Sequence, residues 1–355
     1  MLKNDLQEKV NRLISQGRIQ LGELLAGGVV SDVYSASWTV EESAKNIVVK
    51  HTKKDIAPSH IFSKADVKNS FSKAILTHNF DVEIQKALKT STPVIIEHFP
   101  KENITLMENF NDKGYTLLQE LIISEKLPNA AGRQMGKKLA ALRKKLTPIT
   151  EQLNQVESSQ TQFDERFYEL KALLYNGRID IFNEIENTFL SPSEVRLTWT
   201  DGDQKNFAVN EKGEVIIFDL GRMIKCDPDF MLPNLLGHLG LFYIAGYLEN
   251  GTNFLKECTN SFLEAYNPDY KLNEKKFVDY FTAAVLHRGM AMRWIDKRIG
   301  NKIGEDSIKN ASMHLGDIVF NKEKRIENIE NLFSIITKIR KAAISGLYKR
   351  TPIKI

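Results

Sequence analysis

The run Trp199-Thr200-Asp201-Gly202-Asp203-Gln204-Lys205-Asn206 gathers carboxylate and amide oxygens on a polar loop between two strand-like stretches. A further carboxylate follows where Val215-Ile216-Ile217-Phe218 runs into Asp219-Leu220-Gly221. An Asp closing a buried strand is badly placed for packing and well placed to hold a cation at a sheet's edge. Hard Mg2+ takes a few such oxygens and completes its shell with phosphate and water. Phosphoryl transfer uses these parts: one Asp to accept a hydroxyl proton, an Asn and another Asp to hold the metal. The same residue types also suit a plain turn, because Asp, Gly and Asn supply its backbone conformations.

Elements must position these groups, and the chain changes character once along its length. Leu2, Leu6, Val10, Leu13 and Ile14 recur at helical spacing, so an amphipathic helix opens the chain. Ile19 to Leu25, Val33 to Trp38 and Ile47-Val48-Val49-Lys50 then read as strands, with Gly27-Gly28 in the first connection. The stretch from Ala65 to Leu88 is mostly helical in pattern, and Val94 to Ile96 and Ile104 to Met107 are short strands. Helical patterns follow at Tyr115 to Ser124, Ala130 to Lys144, Phe163 to Leu174 and Ile179 to Phe189. Short strands at Val195 to Thr198, Phe207 to Val209 and Val215 to Phe218 interrupt them, and beyond Phe230 only helices are expected. No internal repeat of 20–50 residues is visible. Strands first and helices after, with an inserted strand hairpin, is an α+β pattern with two lobes.

Composition bounds the function. The 355 residues suit two domains or one large two-lobed one. Lys+Arg 49 against Asp+Glu 45 gives a net charge of +4, too small and too dispersed to imply nucleic acid as a partner. The basic C-terminal stretch, Lys338 to Lys354, reads as a solvated tail, with an anionic partner as the alternative. The two cysteines, Cys226 and Cys258, have no metal-ligand spacing and form no disulfide framework. They read as reduced thiols of a cytoplasmic protein. The N-terminus lacks the apolar core of a signal peptide. Leu235 to Leu248 is too short to span a bilayer and reads as a buried core helix, so no membrane is expected.

The order Asp201-x-x-x-x-Asn206, strand-turn-strand, Asp219-Leu220-Gly221 resembles the catalytic and metal-binding loops of the protein-kinase-like fold. It is closest to the aminoglycoside phosphotransferase and choline kinase branch, whose loop reads His-Gly-Asp-x-x-x-x-Asn. The resemblance covers roughly residues 20–110 and 130–235. It implies a small antiparallel-sheet N-lobe and a larger, mainly helical C-lobe. The domains would be an N-terminal helix (1–18), a nucleotide-binding N-lobe (19–109) and a C-lobe (110–355) with a helical insertion at about 147–192. It implies ATP and Mg2+ as cofactors, Asp201 as general base, and Asn206 and Asp219 as metal ligands. Lys50 would contact the nucleotide's phosphates, oriented by Glu83, with Asp81 the weaker rival. Gly27, Gly28 and Ser31 would lie at the phosphates. Glu108 and Phe110 belong to a hinge whose backbone would pair with the adenine edge. Gly132 to Arg143 would be the helix beneath the catalytic loop.

The expected activity is transfer of the γ-phosphate to a hydroxyl of a small molecule, such as an amino alcohol or an aminoglycoside-like compound. Asp203 either adds a second carboxylate that suits a cationic acceptor or is a solvated loop residue. His287, Arg288, Arg293, Lys297 and Arg298 either face an anionic acceptor or form a solvated helix face. A kinase of Ser/Thr side chains in lanthipeptide-like biosynthesis is the second reading, with 147–192 and the basic tail lining a peptide groove. A nucleotide-binding scaffold without transfer is the third. Its grounds are Trp199-Thr200 in place of the family's His-Gly, and Asp32 where many kinases have glycine.

Overall fold

In the computed structural model, residues 3–27, 31–52, 82, 84–86, 88, 92–148, 170, 173, 178–192, 194–220, 223–267, 269–290 and 297–349 are described. Helix α1 (Lys3–Leu13) leads into strands β1 (Arg18–Gly27), β2 (Ser31–Val40) and β3 (Ser43–Thr52). Strands β4 (Ile95–Phe99) and β5 (Ile104–Glu108) complete a five-stranded sheet in the order β1-β2-β3-β5-β4. Its described pairings are all antiparallel.

Side-chain alternation along β3 decides which way Lys50 faces. Ile47 and Val49 join Leu6, Val10, Ile19, Leu21, Ile104 and Leu106 in one core cluster, so α1 covers that face. Successive strand side chains point to opposite faces. Lys50 therefore leaves the sheet on the face opposite α1, next to Val48. Helix α1 also protects the sheet edge. Gln7 accepts from the Leu21 N–H at 2.6 Å and donates to the Ile19 carbonyl, while Asn11 accepts from the Ile19 N–H at 2.8 Å. An open edge strand invites pairing with another chain, and side-chain amides from a covering helix occupy those groups.

The chain divides into two compact units, Met1–Thr116 with Ile216–Arg222, and Leu117–Val215 with Met223–Ile355. The first boundary thus lies several residues beyond the expected 109, and α1 belongs with the sheet. Asp219 belongs to the first unit, although the loop at 201–206 belongs to the second.

After β6 (Thr116–Leu117), the helices among the described residues are α2 (Leu118–Ile123), α3 (Ala131–Leu146), α4 (Ile179–Leu190), α5 (Met231–Ile244), α6 (Gly251–Tyr266), α7 (Glu274–Met290), α8 (Glu305–Val319) and α9 (Ile329–Ile344). The strands among them are β7 (Arg196–Trp199), β8 (Phe207–Val209), β9 (Val215–Ile217) and β10 (Met223–Cys226). The fold class is the α+β one expected, a five-stranded antiparallel sheet followed by a mainly helical part.

Helix α5 is buried along its whole length, as its largely apolar run implies. Helices α3 and α6 approach so closely that a Cβ at Gly136 would lie 2.2 Å from the Cys258 carbonyl oxygen. Arg143 near the end of α3 is buried, donates to Asp229 at 3.0 Å and lies 4.4 Å from the Tyr266 ring centroid. Both cysteines are buried, and burial pushes the Cys258 thiol pKa up. Among the described residues no helix is long and apolar enough to cross a membrane.

Two expectations are corrected here. Tyr115 to Ser124 is not one helix: Thr116–Leu117 is strand and the helix starts at Leu118. Strand β10, absent from the sequence reading, pairs antiparallel with β7 and sets Met223 opposite Trp199. The expected helix over Phe163 to Leu174 lies outside the described residues, apart from Leu170 and Leu173.

Candidate active site

In the first unit, Lys50 Nζ lies 2.9 Å from Asp219 Oδ1. The two are far apart in sequence and differ in surroundings: the Lys50 side chain is 11% exposed and that of Asp219 47%. Asp219 has φ +55, a left-handed conformation that non-glycine residues rarely adopt. Such strain costs about 1–2 kcal/mol, less for Asp than for most residues. Just before it, the Phe218 ring stacks on Phe110, with centroids 5.3 Å apart and planes 21° from parallel. Phe110 thus steadies the turn that presents Asp219.

The hinge expectation for Glu108 meets a backbone already in use. The Glu108 N–H donates to the Val94 carbonyl at 2.9 Å, and its carboxylate pairs with Lys113 at 2.7 Å. The Phe110 carbonyl accepts from the Tyr115 N–H at 3.3 Å. Gly27 ends β1 opposite Asp32, and Ser31 opens β2 opposite Thr52. Gly28, Glu83 and Asp81 lie outside the described residues.

In the second unit, strand β7 delivers the loop. Trp199 is fully buried and packs against Phe207, the residue after Asn206, at 5.6 Å between centroids. The indole thus packs at the base of the loop, at the position that the His-Gly-Asp pattern gives to histidine. Asn234 Nδ2 donates to the Thr200 carbonyl at 3.4 Å. A Cβ at Gly202 would stand 3.2 Å from the Leu235 Cβ, so a larger residue there would push the loop off α5.

Inside the loop the backbone closes on itself. The Asp203 N–H donates to the Asp201 carbonyl at 2.7 Å, and the Asn206 N–H donates to the Asp203 carbonyl at 2.9 Å. Asn206 Nδ2 donates to the Asp201 carbonyl at 2.8 Å. That bond fixes the amide, leaving Oδ1 as its acceptor end. The Asp201 side chain is partly exposed, while Asn206 is buried.

Asp203 corrects both of its expected roles. It is neither solvated nor an open second carboxylate. It is 3% exposed, accepts from the Lys205 N–H at 3.3 Å, and takes Arg288 Nη2 at 2.7 Å. Arg288 accordingly is no part of a solvated face: it reaches Asp203 and, through Nε, the His238 ring at 3.2 Å. Arg298 pairs with Glu120 through both terminal nitrogens, at 2.8 and 2.6 Å. Arg293 lies outside the described residues, as does the side chain of Lys297. Sequence reading missed the Asp203–Arg288 pairing, whose partners stand 85 residues apart with no local pattern linking them.

The Asp219 carboxylate in the first unit and the Asn206 amide oxygen in the second are each of the hard-oxygen type that magnesium takes. Among the described residues no group of three or more His, Cys, Asp or Glu could hold a metal by itself. Magnesium takes few protein oxygens when phosphate and water supply the rest of its shell.

No protein-family model matches the chain, and no curated protein does. Solved structures similar to it include the choline kinase LicA from Streptococcus pneumoniae, 12% identical over 98% of this chain and 99% of that one, with a TM-score of 0.45. The ADP-bound aminoglycoside phosphotransferase APH(2'')-Ib is 15% identical over 97% of this chain and 99% of that one, TM-score 0.45. A choline kinase from Cryptosporidium parvum is 9% identical over 98% and 96%, TM-score 0.46.

Proposed function

We propose that this protein is an ATP-dependent phosphotransferase that moves the γ-phosphate to a hydroxyl of a small molecule. The observation that carries the reading is the Lys50–Asp219 pair at 2.9 Å. A buried-strand lysine meets a half-exposed carboxylate held in a strained turn, at a point where packing alone has no use for either. Strain of that kind concentrates where a ligand is handled. An ammonium and a carboxylate so placed suit a phosphate chain and its Mg2+, respectively.

In this reading Lys50 neutralises phosphate charge. Asp219 and the Asn206 amide oxygen would hold Mg2+, which when bound offsets charge on the transferred group. Asp201 accepts the acceptor's hydroxyl proton as the new O–P bond forms and the bond from the γ-phosphorus to the bridging oxygen breaks, with ADP leaving. The protein's contribution is position and electrostatics, because the transferring group needs little covalent help. With Asp203 paired to Arg288, one of the two carboxylates that would suit a cationic acceptor is already engaged, so the acceptor class stays at a small hydroxylated molecule.

The test is transfer of labelled γ-phosphate to amino alcohols, aminoglycosides and Ser-containing peptides, with Mg2+, for wild type and Asp201→Asn. Transfer to a small hydroxyl compound that the substitution abolishes supports the reading. Transfer to peptides alone replaces it with the peptide-kinase reading. Mg·ATP binding with no transfer to any acceptor replaces it with the scaffold.

A further inference from the structure

We infer that Arg288 is a positioning residue: from helix α7 it clamps Asp203 and thereby sets Asp201 and Asn206 relative to each other. The inference rests on the phosphotransferase reading for its functional consequence, and on geometry alone for the clamp.

Asp203 is the hub of its loop. Its N–H donates to the Asp201 carbonyl at 2.7 Å, and its carbonyl takes the Asn206 N–H at 2.9 Å. Its carboxylate accepts from the Lys205 N–H at 3.3 Å. Any shift of Asp203 is therefore passed to the proposed base on one side and to the proposed metal ligand on the other. The side chain that holds this hub comes from outside the loop. Arg288 Nη2 reaches Asp203 Oδ2 at 2.7 Å, with the two side chains 15% and 4% exposed. A guanidinium carries several donors in one rigid plane. Here a second donor, Nε, is spent on His238 Nε2 at 3.2 Å. His238 belongs to α5, the helix that also offers Asn234 to Thr200 and Leu235 to Gly202. The histidine thus fixes the plane of the guanidinium, and the guanidinium fixes the loop. Lys205 Nζ, at 3.8 Å from Asp203 and largely exposed, adds little to this hold.

The pair is nearly dry, so removing one partner leaves a buried charge without compensation. Three variants separate positioning from mere stability: Arg288→Met, Arg288→Lys, and the double variant Asp203→Asn/Arg288→Met, in which no buried charge is stranded. The full chain without ligand is followed by hydrogen exchange and thermal melting. We expect exchange within 200–206 to accelerate at least about tenfold in Arg288→Met. The double variant should recover the wild-type melting temperature yet keep the fast exchange. Arg288→Lys, which can make one of the two bonds at a time, should fall between. Unchanged exchange in 200–206, or acceleration spread evenly through α5 and α7, overturns the clamp.

The functional arm is release of phosphate from Mg·ATP into water by the double variant. A fall of about 10–100-fold with Mg·ATP affinity retained supports positioning. Wild-type release from a loosened loop overturns it. Asp219→Ala serves as the control. If it leaves Mg·ATP binding untouched, the phosphotransferase reading fails while the exchange pattern still judges the clamp. If it weakens binding and the exchange pattern is unmoved, the clamp alone fails.

Discussion

The two halves of the proposed chemistry are built on opposite plans. Lys50 and Asp219 meet through one bond of 2.9 Å, with Asp219 half exposed and its backbone in the left-handed region. The loop at 200–206 rests on a buried tryptophan, two α5 side chains, an arginine from α7 and four internal hydrogen bonds. The first arrangement offers an ammonium and a carboxylate to the proposed phosphate chain and cation. The second holds the backbone of Asp201, the proposed proton acceptor. The aim of a reacting group decides its rate, so a loop held at several points suits a proposed base.

That contrast predicts which substitutions damage function and which damage stability. The largest effect is expected at Asp201. Asp201→Asn keeps the loop's backbone bonds and removes the base, so turnover should drop about 10²–10⁴-fold. Calorimetry should show Mg·ATP affinity little changed. Loss of binding in this variant would mean that Asp201 belongs with the ligand-holding half.

Next comes the loop's floor. Trp199→Ala should cost about 3–5 kcal/mol, read as a large fall in the denaturation midpoint, because a fully buried aromatic leaves a cavity. Trp199→Phe should cost much less. A small loss for the alanine variant would show that the loop does not depend on this packing.

Asp219 sharpens the comparison by separating strain from use. Asp219→Gly relieves the left-handed backbone by about 1 kcal/mol while removing the carboxylate. Its melting temperature should match or exceed wild type as its Mg·ATP binding falls. A clearly lower melting temperature would make Asp219 a structural residue.

The smallest stability effect is expected at Lys50. Its partner is half exposed, so Lys50→Met should change unfolding free energy by no more than about 1 kcal/mol. Nucleotide affinity should suffer all the same. A large loss of stability would place Lys50 among the groups that hold the sheet together.

Much of this was legible in the sequence because it is written locally. The β-branched run before Lys50 gives a strand and, by alternation, the face from which Lys50 leaves it. Asp201, Asn206 and Asp219 stand out because polar groups interrupt buried strands. The largely apolar run of α5 gives a buried helix directly. What escaped depends on contacts between distant segments. Strand β10 has no alternation of its own and exists because Met223–Cys226 pairs with Arg196–Trp199. Asp203 could not be told from a solvated loop residue until Arg288, 85 residues on, was seen to reach it. Phe110 was expected to matter through its backbone. Its ring against Phe218 is a tertiary contact that no spacing encodes.

The central claim is that Lys50 and Asp219 form a site for magnesium-bound nucleotide. Its most direct test is calorimetric titration of ATP, with and without Mg2+, into wild type and Asp219→Ala. The account predicts binding that depends on Mg2+ in the wild type and is weakened in the variant. Absence of binding, or binding indifferent to both the metal and Asp219, would contradict it.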